Sequence, residues 1–115
     1  MQVRLGQLAR ARSGDKGASA NVGVIARTPA AYALLRAALT ADRVEDFFSS
    51  LGVGRVIRYE LPNLLAFNFV LPGVLGEGGG SLSLRSDAQG KALGQMLLEL
   101  TIDVPDDSPA AELAP

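Results

Sequence analysis

Apolar residues recur along this chain in two rhythms, one of alternate positions and one of every third or fourth. Val3, Leu5, Ala9 and Ala11 interleave with Arg4, Leu8, Arg10 and Arg12, which predicts one half-solvated strand. Ala20-Asn21-Val22-Gly23-Val24-Ile25-Ala26 shows little alternation and predicts a strand covered on both faces. Between them, Ser13 to Ala18 reads as a polar loop. Thr28-Pro29 then opens a helix, with Thr as N-cap and Pro where a missing N–H costs nothing. Tyr32, Leu35, Ala38 and Leu39 form its buried stripe. A second start falls at Thr40, with Val44, Phe47, Phe48 and Leu51 at helical spacing and Gly52 as the stop.

Arg55 to Leu61 and Leu64 to Leu71 are strands on either side of Pro62-Asn63. A loop of those two residues alone would set Arg58 opposite Phe67. An odd-length loop instead groups Ile57 and Tyr59 with Leu65, Phe67 and Phe69, leaving Arg58 and Glu60 with Ala66 and Asn68. The odd loop is the expected register, since a one-residue slip exchanges the faces. Pro72 to Ser81 carries five glycines and reads as a surface loop. Leu82 to Arg85 reads as a short extended piece, and Ser86-Asp87-Ala88-Gln89 as a capping box. Leu93, Met96, Leu97 and Leu100 continue that helix, Thr101 to Val104 closes as a strand, and residues 105–115 read as a frayed tail.

The predicted order is β-β-α-β-β-α-β. Without its first strand this is βαββαβ, the split pattern of ferredoxin-like folds. The expected class is therefore α+β, a ferredoxin-like sandwich with an extra N-terminal strand in a domain spanning residues 1–104. Right-handed crossovers put both helices on one face of a mainly antiparallel sheet. The other face then lies bare, and its apolar positions imply a homo-oligomer.

Composition narrows the chemistry. At 115 residues the chain suffices for one domain and one core. A formal net charge of −1 gives no general attraction to nucleic acid or an anionic membrane. The sequence has no Cys and no His, which removes disulfides, thiolate nucleophiles, soft-ligand zinc sites and imidazole catalysis. A carboxylate site for a hard cation stays open, but no metal or cofactor is expected. Met1-Gln2-Val3-Arg4 lacks a signal-peptide core, and no run approaches roughly 18 apolar residues, so a cytoplasmic location is the default expectation.

The candidate site is Arg12-Ser13-Gly14-Asp15-Lys16-Gly17 together with Asn21 and Arg85. Glycines let backbone N–H groups converge, and Arg12 with Lys16 adds positive charge, so a phosphate or carboxylate could settle there. The plain alternative is a hairpin turn. The spacing is not that of a Walker loop. Asn21, an amide on an apolar strand, needs hydrogen-bond partners from a neighbouring loop or from a ligand. Asn68 has solvent or Arg58 as its simplest partner. Arg85, Asp87 and Lys91 gather at the start of the last helix, where capping is the plain reading and anion contact the functional one. The one local base, Asp15, sits beside two cations that oppose a raised pKa, so binding ranks above catalysis.

Three blocks together are more specific than any one: Ala11 to Gly17 with Asn21 to Arg27, Arg58 to Leu64 with Phe67 to Leu71, and Ser83 to Arg85 with Asp87, Gly90 and Lys91. They resemble the ferredoxin-fold domain at the C-terminus of acyclic terpene utilisation protein A, from about Val3 to Val104. The resemblance implies the same fold and a context in the bacterial breakdown of acyclic terpenes through acyl-CoA intermediates. It implies no catalytic residue. Ala18 stands where that family carries a polar residue, which weakens a ligand role for that side chain. Since the chain starts at Met1, the expectation is a small subunit whose large domain is separately encoded, or a chain acting alone.

Two functions follow as expectations. The first is a non-catalytic accessory or oligomerisation domain of an acyl-CoA- or terpenoid-processing protein. The second is a module for an anionic ligand, such as a CoA ester or a carboxylate, held by Arg12, Asp15, Lys16, Asn21 and Arg85. A nucleic-acid reading lacks both a basic stripe and outward-facing aromatics, because the expected register buries Tyr59 with Phe67 and Phe69.

Overall fold

A computed structural model describes residues 1–16, 19–73 and 92–113. Residues 74–81 of the glycine-rich loop, the extended piece 82–85, the capping box at Ser86, and Gly17, Ala18, Arg85, Asp87 and Lys91 lie outside the described residues.

The chain does not begin as one strand. Strand β1 is Gln2–Arg4, a single helical turn α1 is Leu5–Leu8, and β2 is Ala9–Lys16. Leu5 and Leu8 stand three apart and are both fully buried, a helical spacing hidden within the alternation. The Arg4 N–H donates to Gln7 Oε1 at 3.1 Å, one half of a capping box for this turn. At Gly6 the turn meets the C-terminal segment closely: its N–H donates to the Leu98 carbonyl at 2.9 Å, and an added Cβ would lie 3.4 Å from Leu98.

The expected polar loop is also largely strand. β2 pairs antiparallel with β3, Ser19–Ala26, in a ladder from Ala9↔Ala26 through Ser13↔Val22 and Gly14↔Asn21 to Lys16↔Ser19. Backbone pairing thus runs through Lys16, and Ser13 to Lys16 of the expected loop are strand, in keeping with the hairpin that was its plain alternative.

Helix α2, Pro29–Ala38, begins as the caps predict, with Thr28 Oγ1 accepting from the Ala31 N–H at 3.0 Å. Helix α3, Ala41–Phe47, starts likewise at Thr40, whose Oγ1 accepts from the Arg43 N–H at 3.1 Å. The following 3-10 turn, Ser49–Leu51, stops at Gly52, whose φ of +72° is the left-handed conformation that glycine adopts freely. Strands β4, Ile57–Leu61, and β5, Ala66–Leu71, follow, then a helix at residues 92–97 (α4) and β6, Thr101–Asp103.

One antiparallel sheet has the order β2-β3-β5-β4, and a two-stranded ribbon pairs β1 with β6. The β2–β3 hairpin occupies the free side of β3, so the closing strand pairs with the N-terminus instead of joining the main sheet. Ala20, Val22, Val24, Phe67, Phe69 and Leu71 share one face of that sheet and are all buried. Tyr32 of α2 stacks on Phe67 there, with centroids 4.7 Å apart and planes inclined by 14°. Gly94 of α4 packs over Ala11 and Ser13 on the same face. Both helices therefore cover one side of an antiparallel sheet, the ferredoxin-like α+β arrangement. Leu93 and Leu97 bury as expected, whereas Met96 is exposed. Past Val104 the chain is no simple fray: Pro109–Leu113 forms a 3-10 turn that buries Ala110.

The register of β4 against β5 is the reverse of the expected one. Arg58 lies opposite Phe69, Glu60 opposite Phe67 and Tyr59 opposite Asn68. The connection from Pro62 to Leu65 is even in length, a 3-10 turn (Pro62–Leu64) closed by Leu65 at φ +54°. Charge on the helix side is tolerated because Arg58 is fully engaged there. Its Nη1 donates to the Arg36 and Leu39 carbonyls at the end of α2, each at 2.9 Å. Its guanidinium lies 5.1 Å from the centroid of Phe67, and Nη2 meets Glu60 at 3.1 Å. Glu60 in turn accepts from Arg36 Nε at 2.9 Å.

Arg58→Met keeps the apolar stem and loses these bonds. It is expected to lower the unfolding free energy by about 1–3 kcal/mol, through the carbonyls left unpaired at the end of α2. Urea denaturation checks this, and an unchanged midpoint would show that Arg58 only decorates the surface.

Candidate functional site

The face of the sheet away from the helices collects the polar residues of β2 and β3. Period-two geometry puts Arg10, Arg12 and Gly14 of β2 on it with Asn21, Gly23 and Ile25 of β3. From β5 it receives Ala66, Asn68 and Val70, and from β4 Ile57, Tyr59 and Leu61.

Asn21 is exposed, and its Nδ2 donates to Asn68 Oδ1 at 3.2 Å. The two are diagonal neighbours, since Asn21 stands opposite Val70 and Asn68 opposite Gly23. Gly23 brings no side chain between them. On the other side Gly14 lies opposite Asn21, and a Cβ there would approach Asn21 Oδ1 to 2.8 Å. Two glycines thus leave Asn21 room to lie across the sheet toward Asn68. An open cleft of about 470 Å³ lined by Ser19, Ala20, Asn21, Asn68 and Val70 adjoins this amide pair.

The predicted site residues divide. Arg12, Gly14 and Asn21 come together on the open face. Ser13 does not join them: it faces the helices, and its Oγ accepts from the Gly94 N–H, tying the hairpin to α4. Asp15 and Lys16 continue the ladder opposite Ala20 and Ser19, and their side chains lie outside the described residues, as do Gly17 and Arg85. Asn68 enters the site, where the sequence suggested only solvent or Arg58. The partner of Asn21 is that strand residue and not the loop.

Beside the amides runs an apolar strip absent from the expected site. Ile57, Tyr59 and Leu61 are 46%, 52% and 41% exposed. The I-x-Y-x-L alternation was the available signal, but the odd-loop register assigned it to the core. Among the described residues no group of three carboxylates is placed to hold a metal ion, and no helix is long and apolar enough to cross a membrane.

A ferredoxin-like α+β domain with both helices on one side, and a mixed amide and apolar face on the other, is the class these features define. The chain belongs to the AtuA ferredoxin-like domain family, whose model matches residues 3–103. No curated protein and no solved structure matches it in the corresponding searches.

Gly14→Ala tests the amide arrangement. The added methyl displaces the side chain of Asn21, an exposed group free to move, so the stability cost is expected to stay below about 1 kcal/mol. The side-chain NH₂ resonances of Asn21 and Asn68 are expected to shift together. If the Asn68 signals do not respond, the two amides are not coupled.

Proposed function

We propose that this chain is a non-catalytic accessory and oligomerisation domain, the small partner of a larger cytoplasmic protein that processes acyl-CoA or terpenoid substrates. The observation that carries this reading is the division of the sheet: helices pack on one face, while the other exposes Ile57, Tyr59 and Leu61 in a continuous strip. Exposed apolar surface of this kind suits protein contact. Membership in the AtuA ferredoxin-like domain family supplies the context. The sequence lacks Cys and His altogether, which takes away thiolate nucleophiles and the commonest proton-transfer group near neutral pH. In this reading copies of the chain also associate with one another.

A second reading is favoured by the cleft beside Asn21 and Asn68, with Arg12 two strands away from Asn68 on the same face. There Arg12 supplies positive charge to an anionic ligand such as a CoA ester or carboxylate, Asn21 and Asn68 orient it, and Ser13 and Gly14 shape the hairpin beneath.

Two measurements separate the readings. Affinity purification from the native cell extract is expected to recover an acyl-CoA- or terpenoid-processing enzyme in stoichiometric amount, and recovery of this chain alone contradicts the accessory role. In thermal-shift assays with CoA, acyl-CoA esters and inorganic phosphate, the accessory reading expects no change at millimolar ligand. A rise in melting temperature that Asn21→Ala abolishes favours the ligand reading, because binding to the folded state raises its stability.

A further inference from the structure

Strand β4 is an edge of the main sheet: its one neighbour is β5, and among the described residues nothing pairs with its outer side. Natural edges are commonly protected by charges, prolines or bulges, because unpaired N–H and C=O groups invite another strand. The opposite edge, β2, carries Arg10 and Arg12 exposed on its open face, so two copies of β2 in register would bring like charges together. Strand β4, Ile57-Arg58-Tyr59-Glu60-Leu61, instead carries one charge of each sign, Arg58 and Glu60, which pair with each other on the helix side, and Pro62 only terminates it.

The order of side chains in β4 is complementary to its own reverse. In an antiparallel pair of two β4 strands centred on Tyr59, Ile57 of one copy faces Leu61 of the other, and Arg58 faces Glu60. Tyr59 faces Tyr59. Every cross-strand pair is then apolar with apolar, aromatic with aromatic, or cation with anion, the combinations that stabilise antiparallel strands. Centring the pair on Arg58 would oppose two arginines, and centring it on Glu60 would oppose two glutamates. Registers shifted by an odd number of residues would cross the two faces of the sheet. Charge and hydrophobic pattern thus select one alignment.

We propose that two copies of this chain join through β4, antiparallel about Tyr59, into one continuous sheet with a two-fold axis normal to it. This deepens the self-association part of the reading above and names its surface. A two-fold axis in that direction keeps the faces of the sheet distinct. The helices of both copies lie on one side, and the Ile57, Tyr59 and Leu61 strips merge on the other. The carboxylate of Glu60, already paired with Arg36 and Arg58 of its own copy, gains the second copy's Arg58 as a further neighbour. The joint strip, flanked by the Asn21–Asn68 pairs, is left accessible to a larger partner.

Light scattering on the full chain in solution tests the proposal, with a mass of twice the chain expected at concentrations up to the millimolar range. Tyr59→Lys, at an exposed position, sets two ammonium groups against each other at the centre and is expected to give monomers whose thermal melt matches that of the wild type diluted until it too is monomeric. Because the chain contains no cysteine, single Cys variants then read the register. Tyr59→Cys is expected to oxidise readily to a covalent dimer, since each copy faces itself there. Ile57→Cys, offset from its own counterpart, is expected to cross-link poorly. A monomeric wild type overturns the proposal together with the self-association reading. A dimer that survives Tyr59→Lys, or one in which Ile57→Cys cross-links as well as Tyr59→Cys, overturns this interface and leaves self-association by another surface standing. Recovery of a larger enzyme from extract bears on the accessory role and not on this contact.

Discussion

The placement of Arg58 on the helix side of the sheet fixes the character of both faces. Its two bonds to the Arg36 and Leu39 carbonyls close the end of α2, and its guanidinium rests over Phe67. Phe67 also receives the ring of Tyr32, so one aromatic residue is shared by a helix and an edge strand. Because strand side chains alternate, a charge turned inward at position 58 turns Ile57 and Tyr59 outward. An exposed apolar strip on the far side is thus the consequence of satisfying the helix end with an arginine from β4.

The far side then has two zones. Over β2 and β3 it is polar, with Arg12, Gly14 and Asn21, and Asn21 reaches across Gly23 to Asn68. Over β4 it is apolar, with Tyr59 opposite Asn68 at the boundary. The hairpin below the polar zone is held to the helical layer by Ser13, which accepts from the Gly94 backbone. Gly94 has no side chain to displace that hydroxyl, and an added Cβ would press directly on it. The polar zone and the helix layer are therefore joined directly through Ser13.

Much of this was legible in the residues. Thr28-Pro29, Thr40 and Gly52 marked helix boundaries because each acts locally, through a cap or a positive φ. The pairing of residues 57–61 with 66–71 was equally clear, but its register was not. Register depended on the number of residues in one turn, and the sequence rule that charge avoids apolar neighbours pointed the wrong way. That rule fails where helix carbonyls and an aromatic face await the charge, and both are tertiary facts. The opening strand misled for a related reason: Leu5 and Leu8 fit alternation loosely and helical spacing well, and only contact with Leu98 and Leu100 settles which applies. Likewise Arg12, Gly14 and Asn21 could be named from sequence, whereas Asn68 could be matched to Asn21 only by the ladder between β3 and β5.

The register of β4 supports every later step, from the exposed strip to the pairing of copies, and nuclear Overhauser spectroscopy reads it directly. The structure predicts cross-peaks from the Arg58 side chain to the ring protons of Phe67, and from the Tyr59 ring to the side chain of Asn68. Cross-peaks from Tyr59 to Phe67 or Phe69, with Arg58 contacting Asn68, would put the charges outward and contradict the account.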